Sequence, residues 1–508
     1  MPAAGTDDAM KRGLITASIM LATIMQVVDM TIVNVALPHM QGAMSATQDQ
    51  ISWVLTSYIV AAAIATPVTG VLAARFGRKR LLLSCMLAFT LASMLCGSAT
   101  SLEQMVAYRV LQGTAGAALV PLSQAVLLDT YPREKHGSAM ALWGMGVMIG
   151  PILGPTIGGY LTEYYSWRWA FYINLPIGIL ALLGTAAFLT ETEIDKSRRF
   201  DFFGFALLSL AIGALQLVLD RGESLDWFSS RTIILSTVAA GLAFYMFLVH
   251  MFTAEKPFIE PGLFKDRNFA TGLFLMLMMG VMLFSTMALM PPFLQNLLGY
   301  PVIMTGLLLA PRGMGTMVAM HIVGRLIGRV DTRSLLLVGF ALMTISLWQM
   351  AGFTLEVGVW PIVYTGVIQG IGLGFLFVPL STAAFSTLAP RYRNEGTAMF
   401  SLIRNMGSSI GISVVITVLG HQVQTSHAEL GGSMGAFRPA LQPSVLPRIW
   451  DWSTGAGTAA LNGEVTRQAL MIAYLNDFRL MMYMTLLAVP LLLLLRPPPR
   501  PVPAAARA

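Results

Sequence analysis

The chain has 508 residues, 56% hydrophobic and only 11% charged, with a mean hydropathy of +0.69 and a net charge of +7. A soluble chain carries about a quarter charged residues, so a soluble globular domain is excluded and a polytopic all-α membrane protein is indicated. The positive balance does not point to nucleic acid, because the basic residues fall in short loops between apolar runs.

Residues 1–12 form a short polar N-terminus. The apolar run behind it is too long for a signal-peptide core and lacks a small-residue cleavage site, so it reads as a retained first helix. A span needs about 20 apolar residues. Fourteen such stretches follow, near 13–36, 51–73, 81–100, 104–128, 138–161, 170–190, 202–219, 231–252, 269–290, 305–324, 334–354, 359–383, 396–420 and 473–495. The first holds Gln26, Asp29 and Asn34. Gln26 and Asp29 are one turn apart on one face, with Asn34 nearby. An ionisable group inside a membrane is costly and marks a functional site by default. A carboxyl in a low-dielectric setting takes up protons nearer neutral pH, as a proton-coupled carrier requires.

The loop after the second span carries Gly70, Arg75, Gly77 and Arg78. Cys85 and Cys96 share the third span. Eleven residues of helix separate them by about 16 Å, too far for a disulfide. The fourth span holds Arg109, Gln112 and Gly113. A buried Arg stays charged and must be paired or hydrated; here it reads either as a fixed charge beside a carboxyl or as a helix anchor. In the fifth span Gly146, Gly150, Gly154 and Gly158 recur every fourth residue, with Pro151 and Pro155 between them. This spacing puts all four glycines on one side and allows close, sliding helix contact with bending points. Arg312, Gln369, Arg404 and Asn405, in the later spans, complete the candidates for a substrate pathway and its gates. His321 reads as a packed helix residue. One intramembrane acid thus stands against three Arg, which fits neutral or weakly acidic amphiphiles at least as well as multivalent cations.

With the N-terminus in the cytoplasm, all six Lys and most Arg fall on the cytoplasmic side, as the positive-inside rule demands. Both termini are then cytoplasmic. Val110-Leu-Gln-Gly113, Val120-Pro-Leu-Ser123 and the segment from Pro132 recur as Val367-Ile-Gln-Gly370, Val378-Pro-Leu-Ser381 and the segment from Pro390. Gly70, Leu72, Arg75 and Arg80 are echoed by Gly324, Leu326, Arg329 and Arg333. The repeat carries span 4 onto span 12, an even shift, so the halves share an orientation. The expected units are an N-terminal six-helix bundle at 13–190, two inserted helices at 202–252, and a C-terminal six-helix bundle at 269–495. The last contains an outer connection at about 421–472 whose 462–478 stretch is a candidate helix. A Pro-rich cytoplasmic tail, 496–508, ends the chain. Paired apolar halves are the build of secondary transporters, with the site where they meet. No Gly-x-x-x-x-Gly-Lys phosphate loop and no His-Glu-x-x-His metal motif occurs, so neither ATP drive, a metal, a cofactor nor an enzyme activity is expected.

Together these motifs resemble the major facilitator superfamily, and within it the fourteen-helix drug:proton antiporters of the EmrB/QacA type. Asp29-Met-Thr-Ile-Val-Asn34-Val-Ala-Leu-Pro38, Gly70 to Arg80, Arg109-Val-Leu-Gln-Gly113 and Gly146 to Gly159 are similar to that family's signatures. Trp167 to Pro176, Leu219-Asp-Arg-Gly222 and Asp226-Trp-Phe228 are similar to the EmrB branch. The resemblance implies a major facilitator fold and export of lipophilic small molecules in exchange for protons across the inner membrane, with Asp29 and Arg109 in proton coupling. It also implies a periplasmic adaptor and an outer-membrane channel as partners (an EmrA/TolC-like tripartite pump). A specific metabolite or fatty-acid exporter on the same fold, and a non-transporting sensor or scaffold, are the competing readings. One departure stands out: the loop signature usually has an acid where this chain has Ala74, so the cytoplasmic latch is either weaker or made by another group.

Overall fold

The computed structural model describes residues 4–192, 194, 200–433, 450 and 454–495. The Pro-rich tail, Lys196 and the middle of the outer connection lie outside the described residues. Among those described there is no β-strand beyond one isolated bridge, Ile327 to Val330. Thirteen helices are each long and apolar enough to cross a membrane, and a bent pair makes a fourteenth.

In chain order they are α1 (Ala4–Ala43), α2 (Gln48–Ala65, continued as Val68–Phe76), α3 (Arg78–Ser98), α4 (Leu102–Gly116, continued as Leu119–Thr130) and α5 (His136–Tyr164). Next come α6 (Trp169–Tyr172, continued as Asn174–Phe188), α7 (Phe202–Arg221) and α8 (Arg231–Thr253). The second half holds α9 (Arg267–Pro292), α10 (Val302–Leu326), α11 (Thr332–Met350), α12 (Val359–Ser386), α13 (Arg393–Ser433) and α14 (Gly455–Ala488). The repeated Pro132 and Pro390 segments form matching 3-10 turns, Arg133–Lys135 and Pro390–Tyr392, which lead into α5 and α13.

Three features differ from the sequence expectation. Span 2 is bent by 54° next to Pro67, whose ring removes an N–H and clashes with the preceding turn. Spans 13 and 14 are longer than the apolar runs. Hydropathy ends a span where the surface turns polar, but the helix continues, so most of the outer connection is a helical hairpin that includes the whole of 462–478. His427 and Asn462 bond across it at 3.0 Å, and Asn476 donates to Gln422 at 3.0 Å. His321, expected to be packed, is exposed on α10.

Glycine sets the distance between helices at the points that matter. All four residues of the α5 stripe face α1. A Cβ would meet Met20 at Gly146, Val27 at Gly150, Thr31 at Gly154 and Ile32 at Gly158. Thr31 also donates its hydroxyl to the Gly150 carbonyl at 3.1 Å. The backbone of Pro151 and Pro155 continues the helix; their side chains are outside the described set. The second half repeats the device: a Cβ at Gly407 or Gly411 of α13 would strike the α9 backbone at Leu277 or Val281.

The halves meet at two related contacts on the face that carries the α2–α3 loop. At Gly70 of α2 a Cβ would lie 3.0 Å from the Glu395 Cα, at the start of α13. At its echo, Gly324 of α10, a Cβ would meet Ala141 and Ser138 at the start of α5, and Ser138 donates to the Gly324 carbonyl at 3.2 Å. Deeper in, Trp143 of α5 stacks on Phe377 of α12 with centroids 5.7 Å apart.

Gly150→Leu is expected to destabilise the protein by at least about 1–3 kcal/mol, because the added side chain overpacks a contact that includes the Val27 backbone. Thermal unfolding in detergent checks this, with Gly241→Ala in open space as a control that leaves the melting temperature unchanged.

Candidate functional site

Asp29 and Arg109 are fully buried, at 0% and 1% exposure. The seat of Arg109 on α2 depends on Gly113: a Cβ there would lie 2.4 Å from the Tyr58 carbonyl oxygen, so only glycine lets α4 come this close to α2. Arg109 Nη1 donates to Asp29 Oδ2 at 2.9 Å and to Gln112 Oε1 at 2.7 Å. Arg109 Nε donates to the Val54 carbonyl of α2 at 3.0 Å. The other carboxylate oxygen, Oδ1, accepts from Gln112 Nε2 at 2.8 Å and from Asn174 Nδ2 of α6 at 2.7 Å. Asn174 also donates to Ser93 of α3 at 2.9 Å. The guanidinium lies over the Tyr58 ring, 4.2 Å from its centroid, and 5.8 Å from that of Phe171.

One carboxylate thus ties together α1, α2, α3, α4 and α6. Two charges cannot be buried this deeply unless they are paired and their remaining lone pairs and protons are satisfied. Here the acid receives three bonds and the guanidinium gives three, so the arrangement suits an ionised carboxylate. It lies inside the N-terminal half, not between the halves.

The other expected residues distribute as follows. Gln26 is buried on the Asp29 face, next to Tyr58, whereas Asn34 is exposed and bonds only to the Met30 carbonyl of its own helix at 3.1 Å. Asn34 is therefore not part of the cluster; five residues carry it past the buried face. Gln369, the echo of Gln112, is buried and donates to Thr286 at 3.3 Å. Gly370, the echo of Gly113, lets α12 approach the Arg312 carbonyl of α10, where a Cβ would lie at 2.0 Å. Arg312 donates to the Leu283 carbonyl at 3.4 Å, and Arg404 and Asn405 are half-buried. The second half thus repeats the backbone device of the first without repeating the ion pair.

The basic loop forms a separate cluster. Gly77 adopts a φ of +88°, which favours glycine, and a Cβ there would strike Glu191. That carboxylate accepts from the free N–H groups of Lys79 and Arg80 at the start of α3, both at 3.1 Å. Arg75 is exposed beside Phe76. Arg78 pairs with Asp129 at the end of α4, and Asp129 also pairs with Arg393 at the start of α13. Asp129 therefore joins the halves across the face where Ala74 offers no charge.

Tyr58, Ser93, Asp129, Asn174 and Asp477 were not among the expected site residues. Asn174 lies in the Trp167 to Pro176 motif, and that was its signal. Asp477 sits one turn inside the sequence-defined edge of span 14, between Asn476 and Arg479, and reads there as a helix end. It is fully buried, so two intramembrane acids, not one, stand against the three Arg.

The model of the Major Facilitator Superfamily matches residues 19–412. The chain belongs to that superfamily. It is 38% identical over 437 residues to the "Multidrug export protein EmrB" of Escherichia coli K12, covering 84% of each chain. To the "Probable multidrug resistance protein EmrY" of the same organism it is 35% identical over 489 residues, 95% of each. The "Fatty acid resistance protein FarB" of Neisseria gonorrhoeae is 32% identical over 486 residues, 95% of this chain and 96% of the relative. These relationships place the chain in the EmrB family of transporters. Among solved structures, the proton:xylose symporter XylE superposes with a TM-score of 0.61 at 12% identity, covering 95% of this chain and 97% of that one. The human organic anion transporter MFSD10 gives 0.59 at 14%, covering 93% and 99%. At these identities the likeness speaks to the fold alone.

Replacing Arg109 by Gln leaves the Asp29 carboxylate buried without its counter-charge and is expected to cost about 3–5 kcal/mol of stability. Adding Asp29→Asn to the same chain should recover most of that loss, a coupling read from a double-mutant cycle of melting curves. Asp129→Asn removes the charge shared by Arg78 and Arg393. It is expected to loosen the face with the α2–α3 loop, seen as faster maleimide labelling of a cysteine introduced at Ala398, which is buried here.

Proposed function

We propose that this protein is a proton-driven exporter of lipophilic small molecules, a secondary carrier of the inner membrane with both termini in the cytoplasm. The buried Asp29 cluster carries the proposal. The names of EmrB and EmrY support drug-like substrates, and the positive-inside pattern supports the orientation. The proposed units are the two six-helix bundles, 13–190 and 269–495, with helices 202–252 inserted. On this reading the contacts at Gly70, Gly324 and Asp129 close the cytoplasmic side, so the conformation is one in which Asp29 exchanges with the outside.

The chemistry follows from the bonds. A proton arriving on Asp29 replaces an ion pair by a neutral acid and weakens its hold on Arg109, Gln112 and Asn174. That frees α1 relative to α4 and α6. α1 lies on the glycine stripe of α5, and α5 meets α10 of the other half, so a movement of α1 acts at the interface between halves. Substrate entering from the cytoplasm favours the ionised cluster and sends the proton inward. Each proton crossing with the potential contributes about 2.3 kcal/mol per 100 mV. Gln26, Gln112, the α5 glycines, Pro151, Pro155, Gln369 and Asn405 remain proposed pathway or gating positions. A periplasmic adaptor with an outer-membrane channel is the proposed partner, and the outer helical hairpin its docking element.

A second reading concerns cargo. Arg109 is neutralised by Asp29, while Arg312 and Arg404 have no acidic partner among the described residues. That leaves the second half electropositive. Weakly acidic amphiphiles such as fatty acids suit it, a reading that the name of FarB supports.

The test is proton release in inverted vesicles on addition of ethidium, a neutral lipophilic dye or a medium-chain fatty acid. Release in wild type that falls by at least tenfold in Asp29→Asn, in protein that folds normally, is the expected result. Undiminished release in Asp29→Asn would make the acid structural and defeat the coupling scheme.

A further inference from the structure

The second half contains a buried acid that the scheme above does not use. Asp477 of α14 is 0% exposed, and neither carboxyl oxygen has a hydrogen-bond partner. Asp29, equally buried, receives three bonds; Asp477 receives none. Its walls are apolar or aromatic: Tyr474 and Phe478, on the same helix, pack edge-on against Phe293 at centroid distances of 5.2 and 6.0 Å. One turn further along α14, Met481 accepts the Thr286 hydroxyl at 3.8 Å, and Thr286 in turn accepts from Gln369. Gln369 Oε1 and Ser285 Oγ are also buried without a partner. Two incompletely bonded polar groups, Gln369 and Ser285, thus lie beside Thr286, which meets α14 one turn along from Asp477.

The charged surroundings are accounted for helix by helix. On α14, Arg467 pairs with Glu464, and Arg479 bonds to Asn476 at 3.4 Å. Tyr474, one turn before Asp477 on the same helix, is its titratable neighbour there. On α13, Arg404 makes no ion pair with it, Arg393 is committed to Asp129, His427 bonds to Asn462, and His421 and Glu429 are exposed. Arg312 of α10 bonds to the Leu283 carbonyl, and Arg333 of α11 to the Leu495 carbonyl. Arg267, at the start of α9, is a full membrane span away along that helix.

Burying an ionised carboxylate with no counter-charge and no donor costs far more than burying the neutral acid. The stable form in this conformation is the acid. We propose that Asp477 is a second proton carrier, loaded here with a proton while Asp29 is ionised. The step balances simply: the carboxylate takes one proton from outside, forming an O–H bond, and loses it to the cytoplasmic side when α14 is repacked, returning to the carboxylate. Asp477 is then loaded before Asp29, and both protons cross inward in the same step. This rests on the antiport reading above for its direction, but the protonation of Asp477 does not depend on that reading.

The deciding measurement needs no transported molecule. Infrared difference spectra of reconstituted protein through a pH titration report the carbonyl band of a protonated carboxylic acid. A band present in wild type and in Asp29→Asn, absent in Asp477→Asn and displaced in Asp477→Glu is the expected result. Because Asp477→Glu keeps the acid, it decides the assignment even if Asp477→Asn folds poorly. The proposal is overturned if no band follows residue 477, or if that band does not bleach anywhere in the pH range over which the protein stays folded. Transport gives the second readout, with ethidium as probe. Removing one of two carried charges should lower its accumulation about 50-fold at 100 mV, the equivalent of about 2.3 kcal/mol per charge. An Asp477→Asn protein with an unchanged dependence on potential would show that the proton on Asp477 is not transported. Failure of wild type to move ethidium at all would count against the cargo reading and leave the infrared result to decide Asp477.

Discussion

The ion pair between Asp29 and Arg109 is the constraint around which the N-terminal half is built. Burying two charges costs several kcal/mol each unless pairing and further hydrogen bonds offset it. The fold meets that demand with Gln112 of α4 and with groups from three further helices, α2, α3 and α6, and each imposes a position. Arg109 needs the Val54 carbonyl, so α2 must lie against α4, and Gly113 is what allows it. Asn174 must reach both Asp29 and Ser93, which fixes α6 against α1 and α3. Under the proposed scheme a proton on the acid would therefore act on an entire bundle, because each of these helices is held to the others through its carboxylate.

The same reasoning explains why the glycines lie where they do. In the proposed scheme a change in α1 would reach the other half only if α1 is in backbone contact with something that touches that half. α5 is that element. Its stripe at positions 146, 150, 154 and 158 lies on α1, while Gly144 of the same helix faces Met320 of α10 and Gly137 faces Ile327 just beyond its end. Close backbone approach without interlocking side chains permits sliding, whereas a bulky seam would lock one register. α13 and α9 repeat the arrangement in the second half, which is what an internal repeat predicts.

Much of this was legible in the sequence because membrane helices advertise themselves. Apolar runs of 20 residues, a loop charge bias and a repeated Gln-Gly motif specify fourteen spans and two halves. Asp29 and Arg109 stood out because charge in an apolar run is rare. Asn174 and Ser93 did not, since neutral polar residues are common in such helices and only their meeting in space gives them a role. Asp129 closes the halves through an acid at a helix end, a position where acids are ordinary, so the loss of charge at Ala74 could not by itself reveal its replacement. The bend at Pro67 and the overrun of α13 and α14 were obscured because hydropathy reports where lipid contact stops, not where backbone hydrogen bonding does.

The contrast between the two halves is then the informative asymmetry. Gln112 and Gln369 are equivalent by sequence, and Gly113 and Gly370 perform the same close approach. Yet the acid that accompanies the first pair lies on the first helix of its half, fully bonded to a guanidinium, and the acid near the second lies on the last helix, bonded to nothing. Duplication supplied one scaffold twice, and charge was placed on it differently. A carrier that must hold one state while the membrane potential pulls on it gains from such a division. An ionised acid with its counter-ion contributes little net charge to the low-dielectric core, and a neutral acid contributes none. Both halves can thus be buried together in the conformation that is closed at the α2–α3 face, at small electrostatic cost. Under the proposed scheme, adding a proton to Asp29 or removing one from Asp477 breaks that balance, and opening the bundle that holds the acid relieves it.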